Sequence, residues 1–152
     1  MHYITRYYGV DIGEYNKIKE TAMKNHAGVW IDHKKAVIVR ITDGVENILT
    51  IDSEMEKHVR YSGGTPEDQH EHRFSNHLKE YYDKVITHLH GAESVLILGP
   101  GEAKGEFEKR LAIELSGAKI DGMETEDKMT DHQIAAKVRE HFSQQHLMNQ
   151  SS

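Results

Sequence analysis

Three short apolar segments in close succession constrain the fold more than any other feature of the sequence. Residues 27–31 (AGVWI) and 36–42 (AVIVRIT) are rich in β-branched residues, and the polar residues 32–35 separate them. A third segment, residues 45–51 (VENILTI), follows Asp43-Gly44, a dipeptide that tolerates the positive φ angles of a two-residue hairpin turn. β-Branched segments separated by turn residues are typical of strands. We therefore predict a meander of three antiparallel strands.

The remainder of the chain alternates between helical and strand patterns. After Pro66 the apolar residues recur at spacings of three and four, which predicts an amphipathic helix that ends at Gly91. Short apolar runs at residues 94–98 and 119–123 predict two more strands, with a helix between them that ends at Gly117. The positions predicted to face inward are Phe74, Leu78, Tyr81, Val85 and Leu89 in the first helix, Phe107, Leu111 and Leu115 in the second, and Ile134, Val138 and Phe142 in a last helix after Thr130-Asp131.

The resulting order βββαβαβα predicts an α/β protein, a ribonuclease H-like single domain with a mixed five-stranded sheet. The later strands return through right-handed crossovers, which place helices on the sheet. A three-layer doubly wound sheet with another strand order is the alternative, because periodicity does not determine which strands are neighbours. We divide the chain into an N-terminal extension at residues 1–26, the domain at 27–143 and a disordered C-terminal tail at 144–152.

The amino-acid composition excludes several kinds of binding partner and of functional site. Asp and Glu number 25 against 19 Lys and Arg, a formal net charge of -6, and this acidic balance argues against strong sequence-independent binding to DNA. The absence of cysteine excludes disulfides, thiolate metal ligands and cysteine nucleophiles. No apolar run approaches the roughly 18 residues that span a bilayer, and residues 1–15 lack the apolar centre of a secretory signal. We expect a cytoplasmic protein that binds neither membrane nor DNA.

Nuclease chemistry on a ribonuclease H-like fold requires several carboxylates that together hold two metal ions. Asp32 follows the first strand and occupies a suitable position. The end of the fourth strand, however, carries Gly99 where a second carboxylate is needed, and Glu80 is one surface acid among many. We therefore predict no catalytic residues and no metal site here, and we interpret Asp32 as the first residue of a turn that its own side chain caps.

Some of the 12 histidines form a group on the first predicted helix and its flanks. This group comprises His70, His72, His77, His88 and His90. Imidazoles bind zinc well, but none of these residues has the i, i+4 spacing of a helical zinc site. We interpret them as a polar or stacking surface and expect no cofactor. A histidine-dependent metal-binding or interaction module is kept as an alternative.

Two segments carry features of RNA contact. Residues 54–73 combine a flexible Gly63-Gly64 pair with cationic and polar side chains, which suits a loop that enters folded RNA, although a plain mobile linker has the same composition. The turn Gly99-Pro100-Gly101 precedes a helix start, where free N–H groups suit an anion, but a structural tight turn is the favoured interpretation. The RNA-binding candidates are Lys57, Arg60, Gly63, Gly64, Gln69, Arg73 and Lys104.

Several of these pieces together resemble a known family. Residues 27–41 (AGVWIDHKKAVIVRI), the Gly63-Gly64 segment, the long helix after it and residues 95–107 (VLILGPGEAKGEF) are similar to the middle domain of archaeal and eukaryotic class I peptide-chain release factors and of Pelota. The closer resemblance is to the bacterial translational machinery protein family, which is related to that domain. The similarity covers roughly residues 25–142. It implies a ribonuclease H-like fold without nuclease chemistry.

The resemblance also bears on activity. In release factors the loop between the third strand and the first helix carries Gly-Gly-Gln, which positions a water for peptidyl-tRNA hydrolysis, whereas Pelota lacks the glutamine and acts in ribosome rescue without hydrolysis. Here Thr65 follows Gly63-Gly64, and Gln69 lies beyond Pro66. The resemblance therefore implies a non-enzymatic protein that binds the ribosome or tRNA through residues 54–73. A peptidyl-tRNA hydrolase that uses Gln69 or a histidine is the alternative.

Overall fold

The computed structural model describes residues 25–54 and 67–150, and for residues 67–72 and 145–150 it describes the helical backbone alone. The elements follow the predicted order βββαβαβα. They are β1 (Asn25–Ile31), β2 (Lys35–Thr42), β3 (Val45–Asp52), α1 (Glu67–Thr87), β4 (Ser94–Gly99), α2 (Ala103–Glu114), β5 (Lys119–Thr125) and α3 (Asp131–Gln150).

The five strands form one mixed sheet in the order β3-β2-β1-β4-β5. β2 pairs antiparallel with both β1 and β3, and β4 pairs parallel with both β1 and β5. This is the predicted ribonuclease H-like arrangement, and the alternative strand order is wrong. The β2–β3 hairpin closes at the predicted dipeptide, where Asp43 and Gly44 have φ angles of 52° and 79°. Positive φ at both central residues matches the twist of the flanking strands.

Helices cover both faces of the sheet and bury a core on each side. α1 and α2 pack on the face that carries Val29 and Ile38, whereas α3 packs on the face that carries Trp30 and Val37. Because successive residues of a strand point to opposite faces, β1, β2 and β4 contribute to both cores. Burial on both faces explains the continuous apolar sequence of residues 27–31.

The positions predicted to face inward are buried, with two exceptions. Leu115 is partly buried against the core beneath α1 and α2. Phe74 is 39% exposed, so the prediction for this residue is wrong. Its ring contacts the ring of His33 edge-on, with 6.3 Å between centroids, and therefore lies beside the β1–β2 turn at the end of the sheet. Helical spacing identifies one face of a helix, but it does not show where the sheet beneath that face ends.

The first and last described elements extend beyond residues 27 and 143, the limits predicted for the domain. β1 begins at Asn25, and α3 continues to Gln150 across the boundary expected between residues 143 and 144. Most of residues 1–26 lie outside the described residues, and the division into extension, domain and tail stays a prediction. None of the helices in the described part of the chain is long and apolar enough to cross a membrane.

α3 approaches β1 closely at Gly28. A Cβ atom at this position would lie 2.1 Å from Cγ2 and 2.9 Å from Cγ1 of Val138, a fully buried residue of α3. Protein interiors are close-packed, so a side chain at residue 28 requires the helix or the valine to move. The absence of a side chain at Gly28 thus sets the distance between α3 and the sheet.

We predict that Gly28→Ala lowers the free energy of unfolding by about 1 to 3 kcal/mol, because the added methyl group overpacks the contact with Val138. Gly28→Ala/Val138→Ala should lose less stability than the sum of the two single variants, because truncation of the valine relieves the overlap. Urea unfolding measures the change through the fluorescence of Trp30, which is the single tryptophan and is buried.

Gly105→Ala is the matched control for this comparison. Gly105 lies in α2, and a Cβ atom there would have no neighbouring atom within 4 Å. Alanine is favoured over glycine inside a helix, so this variant should match the wild type or gain up to about 1 kcal/mol. Equal stability of Gly28→Ala and the wild type would contradict the close packing of α3 on β1.

Candidate functional site

The carboxyl ends of β1, β3 and β4 meet at one edge of the sheet, which we call the loop edge. It comprises the β1–β2 turn at residues 32–34, the end of β3 at residues 52–54, the turn at residues 99–101 and the first turns of α1 and α2. Residues 55–66 join the described chain at this edge, between Glu54 and the start of α1. Open α/β sheets bind ligands at the carboxyl ends of their strands. The segment predicted to contact RNA is therefore attached at the edge where such folds place their sites.

The predicted RNA-binding residues fall into two groups. The first group lies outside the described residues and consists of Lys57, Arg60, Gly63 and Gly64. The second lies on the two helices that begin at the loop edge, with Gln69 and the exposed Arg73 in the first two turns of α1 and Lys104 in the first turn of α2. The fold thus brings Arg73 and Lys104 to one edge, and the contribution of the loop residues stays a prediction.

Lys104 contacts the turn that precedes its own helix. Its Nζ donates a hydrogen bond to the carbonyl oxygen of Gly101 at 2.6 Å. Gly99 and Gly101 have φ angles of 148° and 62°, which residues with side chains rarely adopt, and the predicted tight turn is confirmed. The ammonium group of Lys104 is consequently held beside the start of α2.

Asp32 caps the β1–β2 turn, as predicted. Its Oδ1 accepts hydrogen bonds from the backbone N–H groups of Lys34 and Lys35, both at 2.8 Å. The backbone carbonyl of Asp32 accepts a further hydrogen bond from the Tyr81 hydroxyl at 3.0 Å. The carboxylate therefore fixes the turn itself, and the carbonyl holds the turn against α1.

The end of β4 cannot carry a carboxylate side chain unless the backbone moves. A Cβ atom at Gly99 would lie 2.2 Å from the carbonyl oxygen of Ile31 on the neighbouring strand. Glu80 is exposed on α1. Across residues 25–54 and 67–150, no group of three or more His, Asp or Glu side chains is placed to bind a metal ion. The geometry around Gly99 differs from that of a two-metal nuclease, which needs carboxylates converging on both ions.

The histidines of the predicted group lie at different places along α1 and just beyond its end. Nε2 of His77 donates a hydrogen bond to the backbone carbonyl of Ser53 at 2.6 Å. His88 and His90 are exposed beyond the end of α1. Two members of the group lie where the backbone alone is described, His70 and His72. Metal binding that involves these two residues therefore stays an untested alternative.

Ser53 anchors the chain immediately before residues 55–66. Its Oγ donates a hydrogen bond to the carbonyl oxygen of His33 at 2.7 Å, and its backbone N–H donates one to the carbonyl of Lys34 at 2.8 Å. With the contact from His77, the serine is connected to both the β1–β2 turn and α1. A buried serine whose polar groups are paired is held rigidly, so the point where residues 55–66 begin is defined.

A hydrogen-bonded cluster of His33, Tyr82 and Glu106 also lies at the loop edge. Oε1 of Glu106 accepts hydrogen bonds from Nε2 of His33 at 2.9 Å and from the Tyr82 hydroxyl at 2.7 Å. These residues belong to the β1–β2 turn, α1 and α2, which the cluster joins. His33 and Glu106 are separated by 73 positions, so no local pattern predicts their contact. The one local signal is the acidic residue in the first turn of α2, where a carboxylate suits the helix dipole.

The protonation states within this cluster follow from its surroundings. Burial opposes ionisation of Glu106, but the hydrogen bonds from Tyr82 and His33 outweigh it and hold the pKa of the carboxyl below its ordinary value of 4.5. Burial raises the pKa of the Tyr82 hydroxyl, and the hydrogen bond to Glu106 raises it further. Near neutral pH Glu106 is therefore an ionised acceptor and Tyr82 a neutral donor.

A second contact between α1 and α2 bounds a shallow cleft beside this cluster. The guanidinium of Arg110 donates two hydrogen bonds to the carboxylate of Asp83, at 2.7 Å and 2.8 Å, and the hydrogen bond lowers the pKa of Asp83. The cleft has a volume of about 350 Å³ and is lined by Leu78, Tyr82, Glu106 and Ile113, with lysines at its rim. None of its described lining residues is among the predicted RNA-binding residues.

Solved structures similar to this chain include two Pelota proteins and an archaeal translation termination factor. Pelota of Archaeoglobus fulgidus has a TM-score of 0.50 and 11% identity, with 86% of this chain and 37% of that one covered. Pelota of Thermoplasma acidophilum has a TM-score of 0.49 and 20% identity, with 82% and 36% covered. The termination factor has a TM-score of 0.49 and 13% identity, with 92% and 45% covered.

The chain spans less than half the length of each of these three structures. At 11% identity, the similarity to the Archaeoglobus protein establishes a shared fold. No protein-family model matches the chain, and no curated protein sequence does. The expected relation to the bacterial translational machinery protein family therefore stays a prediction.

We predict that Glu106→Gln lowers the free energy of unfolding at about pH 7 by roughly 1 kcal/mol, because the charge-assisted hydrogen bonds to the carboxylate become neutral. The loss is this small because the side chain is 40% exposed and solvent partly screens its charge. The folded-state pKa of Glu106 is lowered, so its contribution is present above 4.5 and is lost as the pH falls through the folded value. The difference between wild type and variant should shrink on acidification, as measured by urea unfolding at about pH 7 and about pH 3.5.

Glu108→Gln is the matched control, because it removes the same charge from the same helix two positions further along. The free energy of unfolding of Glu108→Gln should differ little from that of the wild type at both pH values. A stability difference for Glu106→Gln that grows on acidification would show that the carboxylate is not stabilised in the folded state.

Proposed function

We propose that this chain is a translation-associated domain that binds the ribosome or tRNA through residues 54–73 and does not itself catalyse hydrolysis. The observation that carries the proposal is that β3 ends and α1 begins at the loop edge, and residues 55–66, which include Gly63-Gly64 in the sequence, connect these two elements. In the release-factor family that the sequence resembles, the same connection bears Gly-Gly-Gln. The fold shared with Archaeoglobus Pelota supports a release-factor-like or Pelota-like domain.

The charge at the loop edge supports contact with phosphates. Lys34 and Lys35 are exposed in and after the β1–β2 turn, Arg73 is exposed on α1, and Lys104 is half-buried at the start of α2. RNA phosphates are bound by arginine and lysine side chains of this kind. Because the chain as a whole is acidic, with a net charge of -6, an RNA contact has to be local to such a cluster.

Three carboxylates of the same edge, those of Asp32, Asp52 and Glu106, are engaged with the protein. Oδ1 of Asp32 accepts two backbone N–H groups, and Oδ1 of Asp52 accepts the N–H of Glu54 at 2.7 Å. Glu106 accepts from His33 and Tyr82. These contacts direct the negative charge toward the turns and helices that it stabilises. Lys34, Lys35 and Arg73 are exposed at the same edge, which suits contact with an anionic partner.

The position of Gln69 favours binding over hydrolysis. Gln69 belongs to the first turn of α1, where its backbone is helical, and Thr65 occupies the position after the two glycines. A glutamine that orients water in the catalytic centre of the ribosome has to follow the glycines directly in the release-factor pattern. We therefore expect no release of labelled peptide from stalled ribosomes. Peptide release that Gln69→Ala abolishes would instead support the hydrolase alternative.

We predict that the protein cosediments with ribosomes at low salt and that Lys57→Ala/Arg60→Ala weakens this binding. Removal of two phosphate contacts should reduce the slope of log affinity against log salt by about two. Gly63→Ala/Gly64→Ala should weaken binding as well, because a less flexible loop fits folded RNA less readily. Sedimentation of purified ribosomes with the full chain across a salt series measures both effects.

Lys84→Ala/Lys119→Ala is the matched control for the charge variant. Both lysines are exposed, and they lie toward the opposite end of the sheet, near the end of α1 and at the start of β5. This control removes the same charge and should leave the affinity and the salt dependence unchanged. Equal loss of binding in the two double variants would indicate nonspecific attraction, and no cosedimentation at low salt would exclude the proposed partner.

A further inference from the structure

β3 forms an open edge of the sheet. It pairs with β2 on one side, and no described strand pairs with its other side. Val45 is 59% exposed, and Ile48 and Leu49 are each 42% exposed. Ile51 is the one residue of β3 that is buried. An apolar edge strand of eight residues is long enough to pair with another strand.

The hairpin register determines which backbone groups of β3 face outward. Thr42 and Val45 flank the two-residue turn and form a hydrogen-bonded pair, so the odd-numbered residues of β3 bond to β2. The N–H and C=O groups of Glu46, Ile48 and Thr50 therefore point to the open side. Among the described residues, no other strand reaches these groups.

In the described part of the chain, this edge lacks most of the features by which proteins usually prevent strand addition. β3 contains no lysine, arginine or proline, and its pairing with β2 runs without a bulge along its whole length. The charge of Glu46 is paired with the guanidinium of Arg139 from α3. Edge strands are normally protected by unpaired charges, proline, bulges or a covering element. The sequence of β3 is therefore suited to pairing.

We propose that β3 pairs antiparallel with β3 of a second copy of this chain, which joins two sheets into one of ten strands. A two-fold axis perpendicular to the sheet keeps each face continuous, so residues on the same face must oppose one another. Ile48 pairs with Val39 of β2, whose side chain lies on the face of the sheet that α3 covers. Leu49 pairs with Ile38 of β2, whose side chain lies on the face that α1 and α2 cover. Across the new interface, even-numbered residues can therefore pair only with even-numbered residues, and odd-numbered residues only with odd-numbered ones.

The strand pairing between the two copies can be centred on Ile48 or on Leu49, and the charges of β3 favour one of these two registers. With Ile48 opposite Ile48 of the second copy, Glu46 meets Thr50 and Val45 meets Ile51. With Leu49 at the centre, Glu46 meets Asp52 on both sides of the axis. This brings a second carboxylate beside one that Arg139 already pairs, and like charges directly opposite each other are destabilising. The first register also places the exposed Ile48 of each copy opposite the other and gives Val45 an apolar partner in Ile51. We therefore assign Ile48 to the centre of the interface.

The helices leave space for this pairing. The core beneath α3 is built from β1, β2 and β4, and no residue of β3 belongs to it. Over the other face, β3 contributes Ile51, close to the loop edge. Among the described residues, α3 reaches β3 at Glu46, while Ile48 and Leu49 in the middle of the strand are each 42% exposed, as a strand approaching edge-on requires. This inference does not depend on the proposed ribosome contact, which involves a different part of the chain.

The full chain should sediment as a dimer of twice 17.4 kDa in velocity experiments at high concentration and dissociate on dilution. Ile48→Lys should raise the dimer dissociation constant by at least about tenfold, because it places two like charges opposite each other and removes the central apolar pair. Ile113→Lys is the matched control, since Ile113 is 74% exposed on α2, and it should leave the dissociation constant unchanged.

A single introduced cysteine tests the register, because the natural chain contains none. Ile48→Cys should be converted to a covalent dimer by a short bismaleimide, whereas Ile113→Cys should not. Far-ultraviolet circular dichroism of each variant confirms that the fold is retained. A monomer at every concentration up to the solubility limit overturns the proposal. A dimer that Ile48→Lys does not weaken, or equal crosslinking of both cysteine variants, also overturns it.

Discussion

The parallel pairing of β1 with β4 is the constraint on which the rest of the structure depends. It joins the three-stranded meander to the two strand–helix units that follow, and it places β1 at the centre of the sheet. A central strand is buried on both faces, so it must be apolar on both and must leave space for helices. Val29 packs beneath α1 and α2, while Gly28 allows Val138 of α3 to approach. Both cores and the loop edge follow from this arrangement.

At the loop edge, hydrogen bonds hold the framework around residues 55–66. Asp32, Ser53 and Glu106 connect the β1–β2 turn with the end of β3 and with both neighbouring helices. A loop whose attachment points are rigid loses less conformational entropy on binding than one attached to mobile ends. Such a framework suits a segment that inserts into a folded partner. Three carboxylates of this edge, those of Asp32, Asp52 and Glu106, are hydrogen-bonded to the protein itself.

Local sequence patterns predicted the elements accurately because their causes are local. Alternation of β-branched residues, the Asp43-Gly44 turn and the helical spacing from Leu78 to Leu89 all depend on neighbours within a few positions. The same spacing also predicts that Phe74 faces the core, but Phe74 is exposed because it lies beside the β1–β2 turn, where the sheet ends. Lys104 was placed correctly at a helix start, but its bond to Gly101 requires knowledge of the turn geometry.

The sequence by itself determined the type and order of the elements, the tight turns, and the absence of a second carboxylate at Gly99. Tertiary structure alone decided which strands are neighbours, and hence that β3 is left with an open edge. It also brought His33, Tyr82 and Glu106 together from three elements. The physical reason is the range of the interactions involved. Turns and periodicity are set by adjacent residues, whereas strand order and long-range hydrogen bonds depend on how distant segments pack around a shared core.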